Sequence, residues 1–353
     1  MKLRPLWFLL FLLLSGMQLK AQNRQADSLY VFSLISKAED HFTESNYDSA
    51  LYYCGLATDY SREKNFKKGQ AYSLIEAADI YIEKDDLKKA DETAETVVKI
   101  GLQTKDSLVV AVGWMQQAQI HMYSDRFDAA VTLFDKSLQH YLGKHPTRYA
   151  ALAYNDLGYT WGRKGELSKQ AECLVKSIGI YENHFPDKYG ELGAAYNNLS
   201  TVYYGLNDRL KAIEYAKKSL VYREKSGDVS RLSIGCCNIS QYYTSINNEE
   251  AEKYLQLCVK YALQSKVEQR IVHSYVTAAN LYYNNNKIAE AYDYELKAIS
   301  ALEKSRKDQA MLARRYMAAA ISARRLGKDS ALVLDYFSKS MNILRPIRDR
   351  ANL

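Results

Sequence analysis

A period of 40 residues governs this chain. Ala50, Ala90 and Ala130 recur at that interval, and the column runs on through Ala171, Ala212, Ala251, Ala291 and Ala331, with no step more than one residue off. A second small residue precedes each of these: Ala38, Ala78, Ala118, Gly158, Ser200, Ser240, Ala279 and Ala319. Three positions after the second column stands a bulky ring, as at His41, Tyr81, His121, Trp161, Tyr203, Tyr243 and Tyr282. Pro146, Pro186 and Pro346 keep the same phase. A repeat of this length denotes one supersecondary unit that cannot bury its apolar face alone and stacks on its neighbours to do so.

Each unit reads as two helices. From Ala151 to Arg163, apolar or aromatic residues fall at Leu152, Tyr154, Leu157, Tyr159 and Trp161; Lys164-Gly165 breaks the pattern. Leu167, Ala171, Leu174 and Ile178 then resume a helical spacing. Only 4 of the 353 residues are proline and 16 glycine, which disfavours a turn-rich β-sandwich. Small residues in matching columns of antiparallel helices allow the backbones to approach, while rings beside them fill the space above and below. The expected architecture is all-α, a right-handed superhelical solenoid of about eight helix-turn-helix units over residues 31–343. Residues 22–30 read as a linker before it, and 344–353 as a tail.

The residues themselves resemble a known family. Trp114, Gln117-Ala118 and His121, followed by Phe127-Asp128-Ala129-Ala130, Phe134 and Leu138, are similar to a tetratricopeptide repeat. So are Tyr154, Leu157-Gly158, Trp161 and Gly165-Glu166-Leu167, and Tyr47-Asp48-Ser49-Ala50-Leu51. The family's usual period is 34, so the additional residues lengthen the helices. Three places depart from its pattern. Gln170 stands where a small residue belongs, Glu295 where an apolar one does, and the turn Leu326-Gly327-Lys328-Asp329 reads as out of phase. The eighth unit is therefore expected to be a degenerate cap.

Charge and the chain start bear on compartment. The net charge of +7 invites a nucleic-acid or anionic-surface reading. Met1-Lys2-Leu3-Arg4, the apolar run Leu6 to Leu14, and Ser15-Gly16 followed by Ala21 form the three-part pattern of a secretory signal peptide over residues 1–21. That run is too short for a membrane helix, and the rest of the sequence has no apolar run of spanning length. Residues 1–21 contain Lys2, Arg4 and Lys20 and no acids, and the last 53 residues are strongly basic, so the middle of the chain is slightly acidic. A nucleic-acid partner is not expected; a periplasmic or secreted location is, with cleavage near Ala21.

No phosphate-binding glycine loop, nucleophile elbow, HExxH or calcium loop occurs, so neither enzyme activity nor a cofactor is expected. His41 and His121 sit in the ring column and read as packing residues; His140 and His145, five apart, do not share a helix face. A metal site is not expected. Five cysteines leave at least one thiol unpaired. Cys54, Cys236 and Cys258 fall in packing columns. Cys236 and Cys258 lie on facing helices of one hairpin, and an oxidising compartment permits a bond between them; spacing alone leaves that open.

The functional expectation rests on the first helix of each unit, which lines the concave surface in stacks of this kind. Its outward positions are acidic in the second unit, at Glu76, Asp79 and Glu83. They turn to amides and aromatics from the fourth onward: Asn155, Asp156 and Tyr159, then Asn197, Asn198, Thr201 and Tyr204. The series continues with Asn238, Gln241, Thr277, Asn280, Tyr283 and Asn284. Each amide carries a donor and an acceptor, so a column of them can pair with an extended backbone of any sequence, and tyrosine adds flat contact area.

The resemblance implies peptide binding through asparagines on this helix, with Asn198 and Asn238 matching best. The family's basic clamp for a terminal carboxylate is not matched, because Asn155, Asn197 and Cys237 occupy its places. Arg314, Arg315, Arg324 and Arg325 read as a solvated capping face. The expected function is a non-enzymatic, exported protein- or peptide-binding scaffold. The alternative is the input domain of a signalling system whose membrane helix and kinase or DNA-binding output is missing or encoded separately, since similar exported arrays often precede such outputs.

Overall fold

A computed structural model describes the backbone from Arg4 to Ala351 except residues 306–307, and the side chains of residues 24–345 except 142, 306 and 307. Among the described residues sixteen α-helices pair in chain order. The first four pairs are α1 (Arg4–Thr43) with α2 (Tyr47–Glu63), α3 (Lys67–Glu83) with α4 (Leu87–Thr104), α5 (Ser107–Tyr123) with α6 (Phe127–His140), and α7 (Arg148–Arg163) with α8 (Leu167–His184). The next two are α9 (Tyr189–Gly205) with α10 (Arg209–Ser226), and α11 (Val229–Tyr243) with α12 (Asn248–Ser265). Then come α13 (Glu268–Asn284) with α14 (Ile288–Ser305), and α15 (Gln309–Arg325) with α16 (Ser330–Ala351). The fold is all-α, with eight paired, tetratricopeptide-like units. The chain divides into two compact units, Met1–Ile180 and Tyr181–Leu353. Within each, a first helix packs on its own partner and on the next first helix, as α3 does on α5 and α11 on α13.

The turns show how sequence sets the pairing. One residue between the helices of each pair takes a left-handed backbone: Ser45, Asp85, Asp125, Gly165, Asn207, Ser245, Asn286 and Gly327. Small polar residues and glycine tolerate that conformation best. In several pairs the residue after it caps the following helix. Asn46 accepts from the Ser49 amide, Asp86 from Lys89 and Asp208 from Lys211, satisfying donors that a helix start leaves free. Gly327 falls in the same column with φ of 67°. The last turn is thus in phase, contrary to its reading from sequence, and α15 and α16 form a true pair.

The small columns lie at the helix crossings. Ala38, Ala50, Ala78, Ala90, Ala118 and Ala130 are all fully buried. The misplaced Gln170 fits because Gly162 faces it, where a β-carbon would collide with the Gln170 carboxamide. The ring columns pair across the two helices of a unit: His41 stacks on Tyr53 at 5.4 Å, Tyr203 on Tyr215 at 5.2 Å, Tyr243 on Tyr254 at 6.0 Å and Tyr282 on Tyr294 at 5.7 Å. A second recurring device is invisible in the columns read from sequence. A buried serine of the second helix donates to a carbonyl of the first: Ser137 to Ala111, Ser177 to Ala151, Ser219 to Gly193 and Ser340 to Ala313, at 2.6 to 2.8 Å.

Several expectations change. Residues 24–30 are helical rather than a linker; Tyr30 packs on Tyr60 at 4.7 Å, and Tyr60 donates to Asp27 at 2.7 Å. The backbone of 344–351 continues α16. The disulfide joins Cys237, not Cys236, to Cys258, and Cys236 stays a buried thiol beside it. On α11 it is Cys237 whose α-carbon comes within 5.1 Å of that of Cys258, within bonding range. In that pair the serine bond is reversed, with Ser233 donating to the Cys258 carbonyl at 3.1 Å. Met1 to Leu3 of the export segment lie outside the described residues, and the side chains of residues 4–21 are likewise undescribed. Among the described residues no helix is long and apolar enough to cross a membrane.

Candidate peptide-binding cleft

Within the second unit, the first helices α11 and α13 and the end of α9 enclose a cavity of about 450 Å³. Helical spacing puts Val276, Asn280, Tyr283 and Asn284 on one face of α13, and Gln241, Thr244 and Ser245 on the facing end of α11. Tyr204 closes one side. Five of the residues expected from sequence therefore meet here: Tyr204, Gln241, Asn280, Tyr283 and Asn284. Thr277 also lines the cavity, but its hydroxyl donates to the His273 carbonyl of its own helix at 2.9 Å.

The others stand elsewhere. Asn238 Nδ2 donates to Asn197 Oδ1 at 3.1 Å, so these two amides partly satisfy each other instead of both facing outward. Asn198 is half-buried, and Thr201 donates to its carbonyl at 2.7 Å. Asn155 and Tyr159 belong to the first unit. There Asn155 donates to Asp156 at 3.2 Å, and the hydroxyl of the exposed Tyr159 accepts from Arg163 at 3.0 Å.

Two tyrosines of the cleft are held in place from behind. Tyr204 stacks on the buried Tyr242, with ring centroids 4.7 Å apart. Tyr283 lies under the Arg325 guanidinium at 5.0 Å, and Arg325 is fixed by its bond to Asn286 at 2.7 Å. Fixing a ring before contact lowers the entropy lost on binding. Arg325, read from sequence as part of a solvated cap, is thus a support for the cleft.

Arg209 and His273 are among the lining residues that the sequence did not point to. Arg209, at the start of α10, lies 5.9 Å from the Tyr204 ring and donates to the Thr244 carbonyl at 2.7 Å. It belongs to a second helix, outside the column of first-helix positions that lines the concave surface. His273 lines the mouth one turn before Thr277, and its helical spacing from Thr277 and Asn280 was the available signal. The lining includes amides, hydroxyls, two tyrosine rings, the His273 imidazole and a guanidinium but no carboxylate. Such a surface can hydrogen-bond a polypeptide backbone and accept a neutral or anionic group. Among the described residues no three His, Cys, Asp or Glu side chains are placed to hold a metal ion.

Comparison with known proteins agrees with this architecture. Residues 192–226, which cover α9 and α10, match the tetratricopeptide repeat family. This is a tetratricopeptide-repeat fold. No curated protein has significant sequence similarity to the chain. Among solved structures, the apo form of RapI is similar with a TM-score of 0.68 at 12% identity, over 91% of this chain and 99% of that one. A signal transduction ATPase with a tetratricopeptide repeat sensor, from Pyrococcus horikoshii, reaches 0.69 at 14% identity over 93% of this chain and 54% of its own. The apo quorum sensor NprR from B. thuringiensis reaches 0.55 at 14% identity, over 80% and 76%. At such identities the likeness establishes the tetratricopeptide architecture alone.

Proposed function

We propose that this tetratricopeptide-repeat protein is a non-enzymatic scaffold that holds an extended protein or peptide segment in the second-unit cleft. The observation that carries this reading is the lining itself. Amides at Gln241, Asn280 and Asn284 and anchored rings at Tyr204 and Tyr283 meet in one cavity without a carboxylate. Location outside the cytoplasm is part of the proposal. It is supported by the basic-then-apolar start of the chain and by the Cys237–Cys258 disulfide, a bond favoured in oxidising compartments.

The test is a pull-down from a periplasmic extract with the full chain and with an Asn280→Ala/Tyr283→Ala variant. A partner held by the first and lost by the second is the expected result. Equal recovery by both would overturn the assignment of the cleft. An Asn198→Ala/Asn238→Ala variant asks whether Asn198 and the Asn238 amide, bonded to Asn197, take part.

A second reading is favoured by the likeness to a quorum sensor and to a repeat sensor of a signalling ATPase. In it the chain is the input module of a signalling system whose output is separate. A neighbouring reading frame for a membrane-anchored kinase, copurifying with this chain, would support that reading over a freestanding scaffold.

A further inference from the structure

In the first compact unit, Met1–Ile180, the acidic stretch at Glu76 and Asp79 of the second repeat forms another polar face. On α5, Gln116 is completely buried, at 0% exposure. Its Nε2 donates to the Ile75 carbonyl at 2.8 Å and to Asp79 Oδ1 at 2.7 Å. Its Oε1, on the same carboxamide, has no partner. Gln119 repeats this arrangement toward α7. Its Nε2 donates to Asp156 Oδ2 at 2.7 Å, and its Oε1 is buried and unpartnered. Each amide thus turns its donor to a carboxylate and leaves an acceptor unmet. Buried polar atoms without partners are rare enough in folded proteins to call for a cause.

The charges around these amides are unbalanced. Burial, and then the neighbouring charges of Asp79 and Glu39, push the Glu76 carboxyl up to about 8, against a smaller opposing pull from Arg148 of α7. Burial raises Asp79 to about 6, opposed by the Gln116 bond and by Arg148 and assisted by Asp156. The other titratable groups facing this acid pair are the Cys54 thiol of α2 and the Tyr149 phenol of α7, both raised chiefly by burial and then by these acids. Among the described residues one cation, Arg148, faces this set of acids. At the edge of the face, Tyr123 and Tyr159 are large exposed rings, at 55% and 44%. Helical spacing sets Tyr123 one turn beyond Gln119 and Tyr159 one turn beyond Asp156, and burial, then the charge of Asp156, raises the Tyr123 phenol.

We propose that this face binds a cationic side chain, lysine or arginine, of a polypeptide partner, whose N–H groups fill Gln116 Oε1 and the carboxylates of Glu76 and Asp79. The acceptors lie below the surface while the rings lie on it, so the ligand needs a long apolar stem ending in donors. Aromatic faces suit such a stem and its charge. Burial and mutual repulsion make the Glu76–Asp79 pair hold a proton above the ordinary carboxylate range, and an entering cation favours its release. Affinity therefore rises with pH through the range from about 6 to about 8.

The test is carbon-detected NMR titration of Glu76 and Asp79 in the full chain, with n-propylguanidinium as the probe. Tetramethylammonium, which has no donor, serves as control at equal ionic strength. The expected result is a fall in both carboxyl midpoints of about one unit, a tenfold preference for the ionised form, with the guanidinium and not with the control. Gln116→Met should abolish most of that difference; if it does not fold, Gln119→Ala at the half-buried neighbour should reduce it. Equal shifts with both cations, or no shift with either, would show a closed internal network and overturn the proposal. A response to calcium ions alone would also overturn it.

Discussion

Glu295 and Arg315 form an ion pair sealed between α14 and α15, with Nη1 3.1 Å from Oε1 and side chains only 5% and 13% exposed. This explains the acid at a position that the family fills with an apolar residue. Arg315, one of four arginines read as a solvated face, is its partner.

Burial raises the Glu295 carboxyl to about 7, and the Arg315 charge opposes that rise. The folded value lies above the ordinary 4.5, so the folded chain holds more protons over that interval and stability falls as pH rises through it. Arg315→Ala should cost about 3–5 kcal/mol at pH values where Glu295 must ionise and much less in mild acid. Urea denaturation at both pH values measures this. An equal deficit at each would exclude the ion pair as the cause.

Gly101 of α4 sits against the start of α5, where a β-carbon would lie 2.8 Å from the Val110 backbone nitrogen and 2.7 Å from a Val110 methyl. Because a backbone atom cannot step aside, Gly101→Ala should destabilise by about 1–3 kcal/mol. This exceeds the gain of about 1 kcal/mol that alanine brings to a helix interior. A raised melting temperature would contradict the close approach.

The recurring serines should act locally. Ser137→Ala removes the donor to the Ala111 carbonyl and should cost about 0.5–1.5 kcal/mol. Ser177→Ala should cost a similar amount. Chemical denaturation of the single and double variants checks both the size and the expected additivity.

Adjacent tyrosines on α13 should behave oppositely. Tyr282 stacks on Tyr294, so Tyr282→Ala should lower stability by about 1–3 kcal/mol. Tyr283 faces the cleft, and Tyr283→Ala should weaken partner capture at least about tenfold, or 1.4 kcal/mol, with little change in melting. Thermal melts beside the pull-down separate the two.

Peptide mapping after alkylation of the denatured, unreduced chain should find Cys54, Cys173 and Cys236 labelled and Cys237 and Cys258 protected. The closed segment spans a sequence separation of 21, so reduction should cost about 3 kcal/mol. Labelling of all five in protein taken directly from cells would remove the support that the disulfide lends to export.

Helix number, pairing and the packing role of the ring columns were legible in the sequence, because they depend on local periodicity and on side-chain volume. Ala38, Ala78 and Ala118 announce a helix crossing wherever they occur in the period, and the Asp85-Asp86 turn carries its own backbone preference and cap. What the sequence could not show depends on which side chains meet across helices. It is the fold that turns Cys237 rather than Cys236 toward Cys258, and it places Gly162 opposite Gln170. It also pairs Asn197 with Asn238 while leaving Asn280 and Gln241 facing a cavity. Amides at equivalent positions in the repeat look alike in sequence; rotation of each helix about its axis decides whether one bonds its neighbour or faces the solvent. The charges followed the same rule: Glu295 is explained only by Arg315, and the acids at Glu76 and Asp79 gain their raised proton affinity only once other helices bury them and bring up the charges of Glu39 and Asp156.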